Sequence, residues 1–199
     1  MMKSESTWDK LLKIKTTGRD ASRSDRFRYP YEPTPYLVLE RLGNSGLIKK
    51  TDVILDYGCG KGRVEFFLSY QIRAKSIGIE YDERIYASAL ENQKTAISSE
   101  RVSFLLQKAE DYEVPLEVNR FYFFNPFSVE ILQKVMARII RSYYLKPRKL
   151  LLFFYYPSYE YISYLMTVEE LEFLDEIDCR DMFDDDSRRE RIVIYQISL

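Results

Sequence analysis

The sequence contains no histidine. That removes imidazole general bases, Ser-His-Asp triads and nearly all familiar zinc sites, so no metal is expected. Cysteine is scarce: Cys59 and Cys179 are the two in 199 residues, too few for a disulfide framework. No apolar run approaches membrane-spanning length. The stretch Met1 to Lys10 is polar and has no signal-peptide core. These absences predict a cytoplasmic protein with no membrane association. Internal repeats and low-complexity tracts are also missing. A chain without histidine needs chemistry that works by positioning, or a base of another type.

What is present fits one globular domain over 1–199: the chain is 46% hydrophobic, has a net charge of −1 and is short for two domains. The small net charge hides an asymmetry. Residues 1–50 carry eleven lysines and arginines against six acids. The acidic excess lies after residue 160 and includes Asp184, Asp185 and Asp186. Aromatic content is high, with seventeen tyrosines.

Periodicity predicts a short amphipathic helix over Thr7–Lys15, with Trp8, Leu11, Leu12 and Ile14 as its apolar side. Thr16–Pro35 has little periodicity and holds Pro30, Pro33 and Pro35, so 1–35 is expected to form an N-terminal arm or lid. A helix follows over Tyr36–Ser45. From Asp52 the pattern alternates. Strands are predicted at Val53–Tyr57, Lys75–Glu80, Val102–Gln107, Phe121–Phe124 and Leu150–Tyr155. Helices are predicted at Val64–Ser69, Asp82–Thr95, Val129–Tyr144 and Ser158–Met166. Two late strands, Leu171–Cys179 and Arg191–Ile197, have no long helix between them and can pair as a hairpin. The expected fold is α/β: a three-layer α/β/α sandwich on a mostly parallel, seven-stranded, Rossmann-like sheet with an antiparallel last strand.

The most informative stretch is Val53 to Arg63, V-I-L-D-Y-G-C-G-K-G-R. A strand ends in Asp56, and a loop with Gly58, Gly60 and Gly62 opens the next helix. Such a turn exposes main-chain N–H groups to a ligand. The spacing is G-x-G-x-G; the dinucleotide fingerprint G-x-G-x-x-G needs glycine where this chain has Arg63. Cys59 reads as a small residue that fits the loop, not as a nucleophile. Glu80 ends the second strand, where a carboxylate can accept two ribose hydroxyls. Tyr81 follows and offers a ring face. Lys108-Ala109-Glu110-Asp111 follows strand three, and Asn125-Pro126-Phe127 follows strand four. All these positions are carboxyl ends of strands, where open α/β sheets bind ligands.

With Asp56 before it, the glycine loop resembles motif I of the class I S-adenosylmethionine-dependent methyltransferases, and the resemblance spans about residues 34–199. It implies S-adenosyl-L-methionine as cofactor and transfer of its activated methyl group by in-line displacement. It places Asp56, Gly58, Cys59, Gly60 and Gly62 at the methionine part, and Glu80 on the ribose. Tyr81, Ala109, and Glu110 or Asp111 fall at the adenine. Many members carry an acid where this chain has Lys108. Amino-group methyltransferases carry Asp/Asn-Pro-Pro-Tyr/Phe at the fourth strand. This chain is one proline short, and the match makes Asn125 and Phe127 the catalytic candidates. The substrate-side candidates are Tyr29, Tyr31 and Tyr36, in an arm that mixes them with Arg19, Arg23, Arg26 and Arg28. The methyl acceptor is not identified: a small molecule (an anionic one suits the arm), a protein or RNA. Two other readings stay open. One is a non-catalytic S-adenosylmethionine-binding partner or sensor. The other is an NAD-dependent oxidoreductase on a Rossmann sheet, against which Arg63 counts. As a strand-end acid, Glu80 is expected to be removable without harm to the fold. Deleting residues 1–30 is expected to spare cofactor binding.

Overall fold

The computed structural model describes residues 4–184 and 187–198. Asp185 and Asp186 of the acidic stretch, and residues 1–3 of the arm, lie outside the described residues. The elements run α1 (Glu5–Leu12), α2 (Tyr36–Asn44), β1 (Val53–Tyr57), α3 (Arg63–Gln71), β2 (Lys75–Glu80), α4 (Glu83–Thr95), β3 (Val102–Leu106), β4 (Arg120–Phe123), α5 (Val129–Leu145), β5 (Leu150–Tyr155), α6 (Tyr159–Leu165), β6 (Glu172–Asp178) and β7 (Arg191–Ile197).

The seven strands form one sheet in the order β3-β2-β1-β4-β5-β7-β6. The pairs from β3 to β5 are parallel, and β7 is antiparallel to both β5 and β6. The last strand is thus the antiparallel one, inserted between β5 and β6. The strand order reverses at β1, whose neighbours are β2 and β4. Crossovers leave these strands in opposite directions, which opens a crevice at their carboxyl ends.

The central strands are apolar runs because both sheet faces are covered. Successive side chains go to opposite layers. Ile54, Tyr122, Leu151, Phe153 and Ile194 join a core with residues of α1 to α4. Leu55, Tyr57, Phe121, Phe123, Leu152, Phe154 and Val193 join a second core with α5 and α6. Helix α5 shows the logic: Ile131, Leu132, Val135, Met136 and Ile139 recur at helical spacing and are buried. Each such side chain contributes about 1.5–3 kcal/mol when fully buried. Among the described residues, no helix is long and apolar enough to cross a membrane.

From α2 onward, boundaries agree with the sequence expectation to about two residues. The first helix differs. It starts early, capped by the Ser4 hydroxyl on the Thr7 N–H, and stops at Lys13, whose φ of 58° is left-handed. Ile14 is still buried, but past the helix end. The segment read as an arm also differs. Trp8, Leu12 and Ile14 are part of the main core, so 1–35 is no detachable lid. Removing 1–30 takes core with it.

Candidate functional site

The glycine loop begins where β1 ends. The Gly58 and Cys59 N–H groups donate to the Ile79 carbonyl at 2.9 and 3.0 Å, which pins the loop to β2. Gly58 and Gly60 need glycine on two grounds. Both have left-handed backbones, with φ of 79° and 57°. A Cβ on Gly58 would sit 2.5 Å from the Pro126 Cβ, and one on Gly60 would strike the ring of Tyr31. Gly60→Ala therefore forces either the loop or the tyrosine to move. We expect it to lower stability by about 1–3 kcal/mol and to speed proteolysis between residues 20 and 31. Unchanged cleavage would show that Tyr31 is not held there by the loop.

A cleft opens over this loop. It is lined by Asp56, Gly58 and Cys59, by Glu80, Tyr81 and Asp82, by Ala109 and Glu110, and by Phe124, Pro126 and Phe127. One wall therefore comes from each of four strand ends. The fifth wall is the arm, including Arg28, Tyr29, Tyr31 and Thr34.

Glu80 is buried at the centre. Its Oε2 accepts from the Gly60 N–H at 3.1 Å, and its Oε1 from the Tyr81 and Asp82 N–H groups at 2.8 and 2.9 Å. Burial pushes its pKa up, and these donors offset part of that. It is not the acid removable without harm to the fold that its strand-end position suggests; it holds the glycine loop to the start of α4. A carboxylate has about four acceptor positions. Three are used, so one stays available on Oε2.

The arm is tied down, not loose. Its two ends pair, with Asp20 and Tyr31 exchanging N–H···O bonds of 3.0 and 2.8 Å. Its middle pairs with the segment after β4: Tyr29 N–H donates to the Pro126 carbonyl at 3.2 Å, and Ser128 N–H to that of Phe27 at 2.8 Å. Arg28 binds Glu110 at 2.6 Å, and its guanidinium lies 5.0 Å from the Tyr81 ring centre. The Tyr81 hydroxyl donates to the Arg23 carbonyl at 2.8 Å. Sequence reading named Tyr81 and Glu110 but missed the cation that joins them. An Arg-Tyr-rich segment was the only available signal.

Four expected residues fall elsewhere, among them Gly60, whose N–H goes to Glu80 and which is absent from the cleft lining. Asn125 has a left-handed backbone, φ 40°, and both ends of its amide are occupied. Its Nδ2 donates to the Tyr156 carbonyl at 2.5 Å, and its Oδ1 accepts from the Ser158 N–H at 3.2 Å. It joins the ends of β4 and β5 and is absent from the cleft lining, so the expected grip on a target amine meets a committed side chain. Tyr36 is fully buried and donates to Asp9 at 2.6 Å; it belongs to the core, not to a substrate surface. Gly62 caps α3 behind the cleft. Tyr29, Tyr31 and Phe127 do line it.

No protein-family model matches the chain. A stretch of 71 residues is 31% identical to a protein-lysine N-methyltransferase of Saccharolobus islandicus (strain REY15A), covering 35% of this chain and 44% of that relative. The match thus spans less than half of the curated relative's length. Among solved structures, the RNA methyltransferase of Salinibacter ruber in complex with S-adenosyl-L-homocysteine aligns with TM-score 0.57 at 18% identity, over 84% of this chain and 94% of that one. A TehB-like SAM-dependent methyltransferase of Corynebacterium glutamicum aligns with TM-score 0.59 at 16% identity, over 82% and 89%. An rRNA methylase of Streptococcus thermophilus aligns with TM-score 0.56 at 10% identity, over 85% and 99%. The chain has the class I S-adenosylmethionine-dependent methyltransferase fold.

Within this methyltransferase fold, Arg63 explains the departure from the dinucleotide pattern. It is the first residue of α3 and only 3% exposed. Its Nε donates to Thr16 Oγ1 at 2.7 Å, and its Nη1 to the Thr34 carbonyl at 3.1 Å and to Glu5. Its guanidinium stacks 4.3 Å from the Tyr36 ring centre. Asp9 lies 3.9 Å away and accepts from Thr16 and Tyr36. Burial alone would raise the Asp9 pKa; those donors and the arginine charge outweigh it and hold it low. The sequence pointed to Arg63 as a missing glycine. Its role as the clamp between the methyltransferase loop and the N-terminal segment needs contacts 29 to 58 residues distant in the chain.

Proposed function

We propose that the chain is an S-adenosylmethionine-dependent methyltransferase. The observation that carries this is convergence: four strand ends place a glycine loop, Glu80, Ala109–Glu110 and Pro126–Phe127 around one cleft at the point where strand order reverses. The residues fit the cofactor. Gly58 brings backbone without a side chain to the cleft lining, Glu80 has an acceptor position left, and Glu110 Oε2 is buried with no hydrogen-bond partner among the described residues.

Asp56, Gly58 and Cys59 would hold the methionyl end, Glu80 the ribose, and Tyr81, Ala109 and Glu110 the adenine. When bound, the cofactor supplies an electrophilic methyl group on a sulfonium. The chain's task is then alignment and exclusion of water, which the docked arm provides. Tyr29, Phe124 and Phe127 line the cleft and would form its acceptor end. Asn125 fixes the β4–β5 corner beside it. Any proton leaving the acceptor goes to a carboxylate, a tyrosine or water, because the chain has no histidine. The match to a protein-lysine methyltransferase and the likeness to an RNA methyltransferase make a protein lysine or an RNA the acceptor to test.

Calorimetry with S-adenosylmethionine, S-adenosylhomocysteine and NAD checks the cofactor. Both sulfur nucleosides should bind and NAD should not. Tight NAD binding with neither sulfur nucleoside bound would sink the reading.

A further inference from the structure

Glu65 is the third residue of α3, directly behind the glycine loop. Its side chain is 1% exposed, and neither carboxyl oxygen has a hydrogen-bond donor among the described residues. Its carboxyl packs on the backbone of β2. A Cβ added to Gly78 would lie 2.5 Å from Glu65 Oε1 and 2.7 Å from the Cys59 Sγ. Gly78 is the register partner of Asp56 on β1. The Glu65 carboxyl therefore sits beside Asp56, which lines the cleft and is itself buried. The contrast with Glu80 is plain: Glu80 takes three backbone N–H donors, whereas both Glu65 oxygens are buried without a partner among the described residues.

Two neighbouring buried carboxyls resist being charged together; one proton between them converts repulsion into a hydrogen bond. We propose that Glu65 is a positioning residue of the cofactor site: protonated, it donates to Asp56, which then meets the cationic methionyl end of the cofactor as a carboxylate. The inference rests on the cofactor reading above.

Electrostatics around the pair agree. Burial drives the Glu65 pKa well up, with Asp56 adding to the rise. Burial raises Asp56 to about 7; a hydrogen bond from Glu65, once formed, works against that rise, and the Glu80 charge adds to it. The other groups facing the pair are neutral or committed. Cys59 has its thiol pushed well up by burial and by these acids. Tyr122 is likewise held neutral by burial and contacts Thr34 at 3.1 Å. Burial raises Tyr31, which donates to the Thr16 carbonyl. Glu80 is the remaining acid. Arg63 pairs with Glu5, and its Nη2, which has no hydrogen-bond partner among the described residues, lies 3.9 Å from Asp9.

The sign follows. Cofactor binding favours ionised Asp56, so below pH 7 a proton must leave Asp56 for solvent as ligand arrives. Affinity should fall about tenfold per pH unit there and level off above it. The test is calorimetry of the full chain with S-adenosylhomocysteine from pH 5.5 to 9, in two buffers of different ionisation heat. Wild type should release a fraction of a proton at pH 7 and show its midpoint near that pH. Glu65→Leu removes the donor, so the Asp56 midpoint rises. Affinity should drop about tenfold at pH 7 and recover by pH 9. Glu65→Gln keeps a neutral donor and should restore the wild-type profile. Three outcomes overturn the proposal: Glu65→Leu losing the same factor at every pH, Glu65→Gln failing as Glu65→Leu does, or Glu65→Gln moving the midpoint down, which would mean Glu65 is normally charged. If Glu65→Leu does not fold, the Glu65→Gln profile still decides. Wild type binding no sulfur nucleoside at any pH would instead reject the cofactor reading.

Discussion

Replacing Arg63 with alanine should cost about 3–5 kcal/mol of folding stability, the range for breaking a buried charge network by removing one partner. The guanidinium is 3% exposed, and its loss strands several groups at once. The Thr34 carbonyl and the Thr16 hydroxyl lose a donor, and Asp9 loses the cation that helps keep it ionised. The Glu5 contact adds little, because that carboxylate is 44% exposed and screened. The stacking face on Tyr36 goes as well. Helix α1 depends on this point, since its Trp8 packs edge-on against Phe67 of α3 at 4.9 Å and stacks near Tyr36. Urea unfolding measures the loss as a lower midpoint at constant slope. A loss below about 1 kcal/mol would mean that Arg63 only decorates apolar packing.

Glu80→Ala should weaken cofactor binding by about 3 kcal/mol, which is more than a hundredfold in affinity. Hydrogen bonds to a charged acceptor contribute about 1.5–3 kcal/mol each, and in the proposed reading the ribose hydroxyls would donate to this carboxylate. A second effect separates this residue from a simple ligand contact. The Gly60, Tyr81 and Asp82 N–H groups lose their acceptor, so stability should fall by about 1–3 kcal/mol too. Glu80→Gln keeps an acceptor oxygen for the backbone and should recover most of the stability but not the affinity. Calorimetry with S-adenosylhomocysteine beside thermal melting separates the two. Normal affinity in a folded Glu80→Ala chain would reject the ribose role.

Much of this fold was legible in the chain. Runs such as Leu150–Tyr155 are too short and too apolar for anything but a covered strand, and the helix pattern of Val129–Leu145 repeats strictly. Glycines at 58, 60 and 62 are local signals, because left-handed backbone is a property of single residues. Other features were hidden. Asn125 looks like an acceptor-site residue next to Pro126, yet its amide bonds to residues 31 and 33 positions later. Tyr29, Tyr31 and Tyr36 are indistinguishable in sequence; two line the cleft and the third is core. Pattern alone cannot sort them, because burial depends on which distant segment covers a side chain.

By itself the sequence determined the alternation of strands and helices, the backbone of the glycine loop and the acids Asp56 and Glu80 near the ends of the first two strands. Those are set by hydrophobic period and local conformational freedom. Only the tertiary structure decided what the charges do. It turned Arg63 from a missing glycine into a buried clamp, and Glu80 from a removable strand-end acid into the tie of the loop. It also buried both Glu65 carboxyl oxygens without a hydrogen-bond partner among the described residues. The reason is physical: the state and role of an ionisable group follow from its desolvation and its partners, and both are fixed by segments that meet only when the chain has folded.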